Sequence, residues 1–262
     1  ENLKKVYDIE RLAGKMAYGN SNARDMISLK SSLSKMPEVK RVLSSCKSNY
    51  LQELYENLDE LQDIYELIEK SIVDDPPITI KDGGIIKLGF DKEIDKLKTA
   101  TTEGKKWLLE LEQQEKEDTG IKTLKIGFNK VFGYYIEVTK SYLSLVPYNY
   151  QRKQTLANCE RYITEELKEL ENTILGAEES CIALEYRLFT ELRDILLGCI
   201  ERLQANAALI AALDVYCAFA QVAYSNDYCR PKIQTNGRIE IIDGRHPVVE
   251  RSVKDGFVPN NT

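Results

Sequence analysis

Residues 163–188 read ITEELKELENTILGAEESCIALEYRL. Their apolar positions Ile163, Leu167, Leu170, Ile174, Ala177, Cys181, Leu184 and Leu188 recur in a four-three rhythm, which puts them on one face of one helix. Leu192 then arrives a residue late, a stutter that locally changes the winding. The apolar face continues through Ile195, Cys199, Leu203, Ala207, Ile210, Leu213 and Ala220, and no Pro interrupts the chain between Pro147 and Pro231. Thr164 suits an N-cap, and Glu165 and Glu166 follow in the first turn, where the helix dipole favours acids. The spacing predicts one helix of about 60 residues, roughly 90 Å at 1.5 Å per residue. Such a helix is a strut.

Working outward, a strut needs a partner for its first turns. Residues 92–116 carry the stripe Ile94, Leu97, Thr101, Gly104, Leu108 and Leu111, weak in its middle, and Gly120 ends the segment. Between the two helical stretches the period changes to two. Leu124, Ile126 and Phe128 alternate with polar residues, and so do Tyr134, Ile136 and Val138, with a turn at Asn129–Gly133. Arg152–Leu156 and Glu160–Ile163 form a second hairpin around Ala157, Asn158 and Cys159. A four-stranded antiparallel sheet therefore joins the two helices and forces them antiparallel. Upstream, 1–75 reads as helices: Tyr7–Tyr18, one capped by Ser21 or Asn22, one opened by Pro37, and one continuous helix over 50–73. Residues Ile78–Phe90 connect these to the stalk through a turn at Asp82, Gly83 and Gly84. Downstream, Ile239–Ile242 reads as a strand in thirty residues without a helix. The fold class is mainly α with a small β insertion: a long-helix strut whose antiparallel two-helix stalk carries a four-stranded antiparallel sheet at its tip.

Composition agrees. Of 262 residues, 30% are charged and 43% hydrophobic, with few Gly (14) and Pro (7), which suits long helices and excludes disorder. No apolar run approaches the roughly 18 residues of a membrane span, and the first residues lack the apolar core of a signal peptide. Six cysteines without a CxxC pair read as reduced core residues, which places the protein in the cytoplasm. The one histidine, His246, has no nucleophile motif to join it, and there is no GxxxxGK[ST] or GxGxxG. The chain reads as no enzyme, with no metal site.

Its charge is uneven. The whole carries −6, yet between Ile121 and Thr164 stand Lys122, Lys125, Lys130, Lys140, Arg152, Lys153 and Arg161 against Glu137 and Glu160. Aromatics gather there too, several at core positions of the sheet. A basic module on an acidic stalk suits a polyanion, through phosphates rather than base readout. The competing reading is a coiled-coil scaffold whose tip binds nothing.

Long strings go beyond pattern: LKIGFNKVFGYYIEVTK (124–140), YQRKQTLANCERYITEELKELE (150–171), GRHPVVE (244–250), DPPITIKDGGIIKLGFDKEIDKL (75–97) and ALDVYCAFAQVAY (212–224). In these the chain resembles the bacterial MutS family of DNA mismatch-repair proteins, across essentially its whole length. The resemblance implies lever segments at 1–104 and 165–228, a clamp at 105–164 and the edge of an ATPase domain at 229–262. It also implies a fragment, without the family's mismatch-reading domain and P-loop. In the family two clamps of a homodimer close on the backbone of duplex DNA, and the resemblance implies contacts here from Asn129 and Lys130 in one turn and Arg152, Lys153 and Asn158 in the other. Ala157 stands where the family usually has Lys. The resemblance further implies that Phe257, with Val258, packs on the adenine in the parent protein, which would use ATP and Mg²⁺, and that the fragment itself needs no cofactor. A MutL-type partner protein, a cytoplasmic, nucleoid-associated location and no membrane complete the expectation. A relative acting outside mismatch repair is the nearest alternative within the family.

Overall fold

A computed structural model describes residues 2–253 and 256–262. They fall into two compact units, 1–213 and 214–262.

The first unit opens with five short helices: α1 (Ile9–Ala17), α2 (Ala23–Leu33), α3 (Met36–Ser44), α4 (Asn49–Asn57) and α5 (Gln62–Ser71). Their starts are chemically marked. Asp8 accepts the Arg11 N–H at 2.9 Å, and Asn22 and Asp25 form a reciprocal capping box. Pro37 lies in the first turn of α3. Ser21, the alternative cap, is instead buried, with its hydroxyl unpartnered among the described residues. Leu12, Met16, Met26, Leu29, Leu33, Ile64 and Ile68 make the core, and Phe189, Leu192, Leu196, Leu203 and Ile210 close it from the long helices α7 (Glu165–Gly198) and α8 (Ile200–Ser225). The lower part of the strut is thus one wall of a helical bundle.

Three elements differ from the periodicity. The helix expected over 50–73 divides, with Leu61 in the left-handed region at φ 52°. A tertiary contact explains the break: the Asn206 amide on α8 both donates to the Asp59 carbonyl and accepts its N–H, while Arg202 grips the Asp59 and Asp63 carboxylates. Leu58 and Leu61 can then both be buried. The 60-residue helix ends one segment at Gly198 and begins the next at Ile200, with Cys199 at φ −102°, ψ 10°. Gly costs about 1 kcal/mol in a helix interior relative to Ala, which makes it the cheapest place to break. In the second unit, Ile239–Ile242 forms no strand. Ile241 exchanges backbone hydrogen bonds with Thr262, Gly244 does so with Asn260, and a four-residue helix α9 (Val249–Ser252) follows. His246 Nδ1 accepts the Val249 N–H at 3.2 Å, a local role.

Two compositional expectations also shift. By length and composition α8 is apolar enough to cross a membrane, although Leu203, Asn206, Ala207, Ile210 and Leu213 of it are buried. All six cysteines are free, but only Cys159 is fully buried, and Cys217 and Cys229 are exposed.

The stalk is α6 (Lys92–Thr119) against α7. Asp91 caps α6 by accepting the N–H groups of Glu93 and Ile94, and Gly120 ends it at φ 71°. Lys98 pairs with Glu185 at 2.8 Å and Lys105 with Glu178 at 2.8 Å, so one helix descends as the other climbs. The weak middle of the stripe is the closest approach: a Cβ on Gly104 would overlap the Ile174 side chain. At the foot, the Glu185 carboxylate is 0% exposed. It accepts the N–H groups of Ile85 and Ile86 at 3.2 and 3.4 Å, and Lys98 adds a bond to the Ile86 carbonyl at 2.7 Å. At the other end four antiparallel strands run in the order β1-β2-β4-β3: β1 (Lys125–Asn129), β2 (Gly133–Thr139), β3 (Gln151–Thr155) and β4 (Cys159–Ile163).

Replacing Gly104 with Leu is expected to cost about 1–3 kcal/mol of unfolding free energy, the usual range for overpacking. Glu185→Ala should cost more, about 3–5 kcal/mol, because Lys98 and two amides lose their buried partner. Urea unfolding checks both; wild-type stability in either variant would contradict the packing described.

Candidate nucleic-acid interface

Ile126, Tyr134, Ile136, Val138 and Tyr162 share the inner face of the sheet and pack on Leu108 and Leu111 of α6 and Leu167 and Ile174 of α7. Two carboxylates of α6 fasten it. Glu112 accepts the Ile126 N–H at 2.8 Å and Glu115 accepts the Tyr150 hydroxyl at 2.6 Å. Burial pushes the Glu112 carboxyl up, but the Lys116 ammonium and the Ile126 N–H outweigh it and hold it below the usual range. Tyr150 is raised well above an ordinary phenol, by burial first and then by Glu115.

Strand register separates the two hairpin turns. Asn129 pairs with Gly133 at one end of the sheet, and Thr139 pairs with Cys159 at the other. The six steps of β2 between Gly133 and Thr139 put roughly 20 Å between those ends. In the first turn Asn129 Oδ1 accepts the Val131 N–H at 2.8 Å, and Lys130 is exposed. Gly133, at φ 76°, lies directly against the Glu171 carboxylate of α7, leaving no room for a Cβ. Val131 and Phe132 are 81% and 51% exposed. In the second turn the Asn158 carbonyl accepts the Lys140 N–H at 3.1 Å. Around the same end, Thr123 and Thr139 share a hydroxyl hydrogen bond of 3.0 Å and Ser141 joins at 3.3 Å.

The five expected contacts are therefore not one cluster. Lys153 shares a hollow of about 250 Å³ with Phe132, Gln151, Lys168 and Glu171, which brings it beside the first turn. Asn158 is at the far end. The ladder shifts register between Arg152 and Gln154, so Lys153 is a bulged residue on an edge strand, a common protection against strand addition.

Both tip acids are occupied. Glu137 holds Arg161 at 3.0 Å, and that guanidinium also bonds Gln154 at 3.1 Å and lies 4.1 Å over the Tyr135 ring. Glu160 takes Arg152 at 3.5 Å and the Tyr162 hydroxyl at 2.6 Å. Lys122, Lys125, Lys130, Lys140 and Lys153 form no ion pair among the described residues. Arg161 is a structural pair, Arg152 stays largely exposed beside Glu160, and the lysines are the unpaired cations. Among the aromatics, Tyr134, Tyr142, Tyr150 and Tyr162 belong to the inner core, while Phe128, Phe132 and Tyr148 are exposed. Thr123, Thr139 and Ser141, which carry no charge or motif, went unnoticed in the sequence; only pairing across β1 and β2 assembles them. In the second unit Phe257 is half-buried and Val258 exposed.

Two long antiparallel helices carrying a four-stranded antiparallel sheet, with five lysines unpaired among the described residues, define the architecture. The model of MutS family domain IV matches residues 89–180. Over its full length the chain is 54% identical to the DNA mismatch repair protein MutS of Ruminiclostridium cellulolyticum, 56% to that of Caldicellulosiruptor bescii and 55% to that of Caldanaerobacter subterraneus. It spans 30% of the length of each of these. The chain belongs to the MutS family.

Burial and then the Glu160 hydrogen bond push the Tyr162 phenol up to about 12. A folded value above the ordinary 10.0 means the neutral form is favoured by folding. That stabilisation is complete below about pH 10 and lost as pH rises toward 12. Ultraviolet titration should show Tyr150 and Tyr162 ionising last among the fifteen tyrosines, and Tyr162→Phe should flatten part of the alkaline loss of stability. An unchanged alkaline profile in that variant would contradict the buried pair.

Proposed function

We propose that this chain is the lever-and-clamp portion of a DNA mismatch repair ATPase that binds mismatched duplex DNA, and that this portion grips the duplex backbone without reading sequence. The relatives' name carries the repair context, and the five lysines outside ion pairs carry the backbone contact. Ammonium groups on a rigid sheet neutralise phosphates and release counterions, and both effects are indifferent to base identity. The lever role rests on α7. Its 34 residues run unbroken from the sheet into the helical core, about 50 Å at 1.5 Å per residue.

On this reading 1–104 and 165–228 are lever, 105–164 clamp and 229–262 the edge of the ATPase domain. Asn129, Lys130, Arg152, Lys153 and Asn158 are candidate DNA contacts, with Arg152 the weakest because Glu160 holds it. Catalysis belongs to the whole protein, which uses ATP and Mg²⁺. A half-buried Phe257 beside an exposed Val258 suits one face of an adenine. A homodimer, a MutL-type partner and a cytoplasmic, nucleoid-associated setting follow from the same reading.

Fluorescence anisotropy with two duplexes of unrelated sequence tests it. Dissociation constants at the weak end of about 10⁻⁴–10⁻⁶ M are expected near physiological salt, equal for both duplexes. The logarithm of affinity should fall with the logarithm of salt, with a slope no steeper than about −4.5 for five lysines. Binding that ignores salt would favour the scaffold reading, and sequence preference would exclude a backbone grip.

A further inference from the structure

We propose that Asn236 is a site of spontaneous modification. In the folded chain it loses its side-chain amide through a cyclic imide formed with Gly237, and aspartate or isoaspartate remains. Neither the sheet nor its contacts enter this proposal.

Three observations carry it. First, Asn236–Gly237 is the one Asn-Gly pair in the sequence. Glycine presents a main-chain nitrogen that no side chain shields, on a backbone free to turn. Gly237 stands at φ 70°, and a Cβ built on it would meet nothing within 4 Å, so the nitrogen is open to approach. Second, the Gly237 N–H donates no hydrogen bond among the described residues, whereas Asn236 Oδ1 accepts the Arg238 N–H at 3.1 Å. That bridge is an Asx turn. It folds the side-chain carbonyl back along the main chain past Gly237 and polarises its carbon. Third, the backbone there is unanchored. Residues 226–240 belong to no helix or strand. Ile233 and Ile239, on either side of the pair, are 88% and 80% exposed, so no packing resists the rotation that brings the nitrogen to Cγ.

Other asparagines lack this combination. Asn22 is locked in a capping box, and Asn206 is buried with both ends of its amide on the Asp59 backbone. Arg251 holds Asn226 Oδ1, and the residue that follows is Asp227 rather than glycine.

The step balances with water as the only co-reactant. The Gly237 nitrogen gives its proton to solvent and attacks Asn236 Cγ. A new C–N bond forms, the Cγ–Nδ2 bond breaks, and the amide leaves as ammonia with a proton from solvent. Water then opens the imide. Cleavage at Cγ gives aspartate, and cleavage at the main-chain carbonyl carbon gives isoaspartate, whose main chain runs through Cγ. Either product adds a negative charge to the segment between α8 and the Ile241–Thr262 backbone pair, and isoaspartate also lengthens it by a methylene.

Peptide mapping of the full chain after warm incubation in mildly alkaline buffer tests the site. Trypsin releases Ile233–Arg238, and electron-transfer fragmentation separates the two products. That peptide is expected to exchange NH₂ for OH before any other asparagine peptide, with isoaspartate exceeding aspartate. Its rate in the folded chain should lie within a few-fold of that in a synthetic peptide of residues 233–238. Gly237→Ala should slow conversion several-fold, and Asn236→Gln should leave the peptide essentially unconverted. Melting by circular dichroism verifies that both variants keep the wild-type fold. Earlier conversion of another asparagine, a folded chain far slower than the free peptide, or a Gly237→Ala variant as fast as wild type would each overturn the proposal.

Discussion

A fully buried carboxylate, Glu185, stands where three segments meet. An ionised side chain with no exposure must be paired and hydrogen-bonded or be very costly. Here Lys98 supplies the charge and the Ile85 and Ile86 amides supply the donors. One group thus ties the connector between α5 and α6 to the foot of α6 and to α7. A slip of either helix would strand the charge, so the contact fixes their relative height. Farther up, Gly104 permits the close crossing at Ile174, which a larger residue would pry open. The register set at the foot is carried to the sheet by two stiff helices.

The sheet inherits that placement through side chains of α6. Glu112 and Glu115 each reach one anchor, a backbone amide of β1 and the Tyr150 hydroxyl beside β3, on opposite edges of the sheet. With the inner apolar face packed below, the outer strands are fastened at both margins. The same economy governs charge. Each acid of the tip is consumed by an arginine, and each arginine by an acid, leaving lysines, whose compact ammonium groups suit non-specific phosphate contact. Charge asymmetry between tip and stalk then has a structural cause, because stabilising pairs and exposed cations are different residues.

Much of this was legible in the sequence wherever a period was sustained. The four-three rhythm of 163–188, the alternation in 124–138, the caps at Asn22 and Thr164, the stop at Gly120 and the antiparallel stalk all survive in the structure. What failed to show were interruptions imposed from outside. Nothing near Leu61 marks a break, since Asn206, 145 residues away, satisfies the backbone that the break exposes. At the second break Gly198 is a single weak helix former inside an apolar face that runs past it. For the tip, basic residues could be counted from sequence but not sorted. Whether Arg161 is a contact or a structural pair depends on Glu137 and Gln154 lying across two ladders. The separation of the hairpin turns likewise depends on strand order, which short alternating runs do not encode.

Hydrogen exchange on the whole chain, with and without duplex DNA, tests the central claim most directly, because it reports on every segment at once. Protection on DNA binding is expected within 121–164, at the two hairpin turns above all, with the helices α1 to α5 unchanged. Protection concentrated in that helical bundle, with the sheet unaffected, would contradict a lever that touches DNA through its tip.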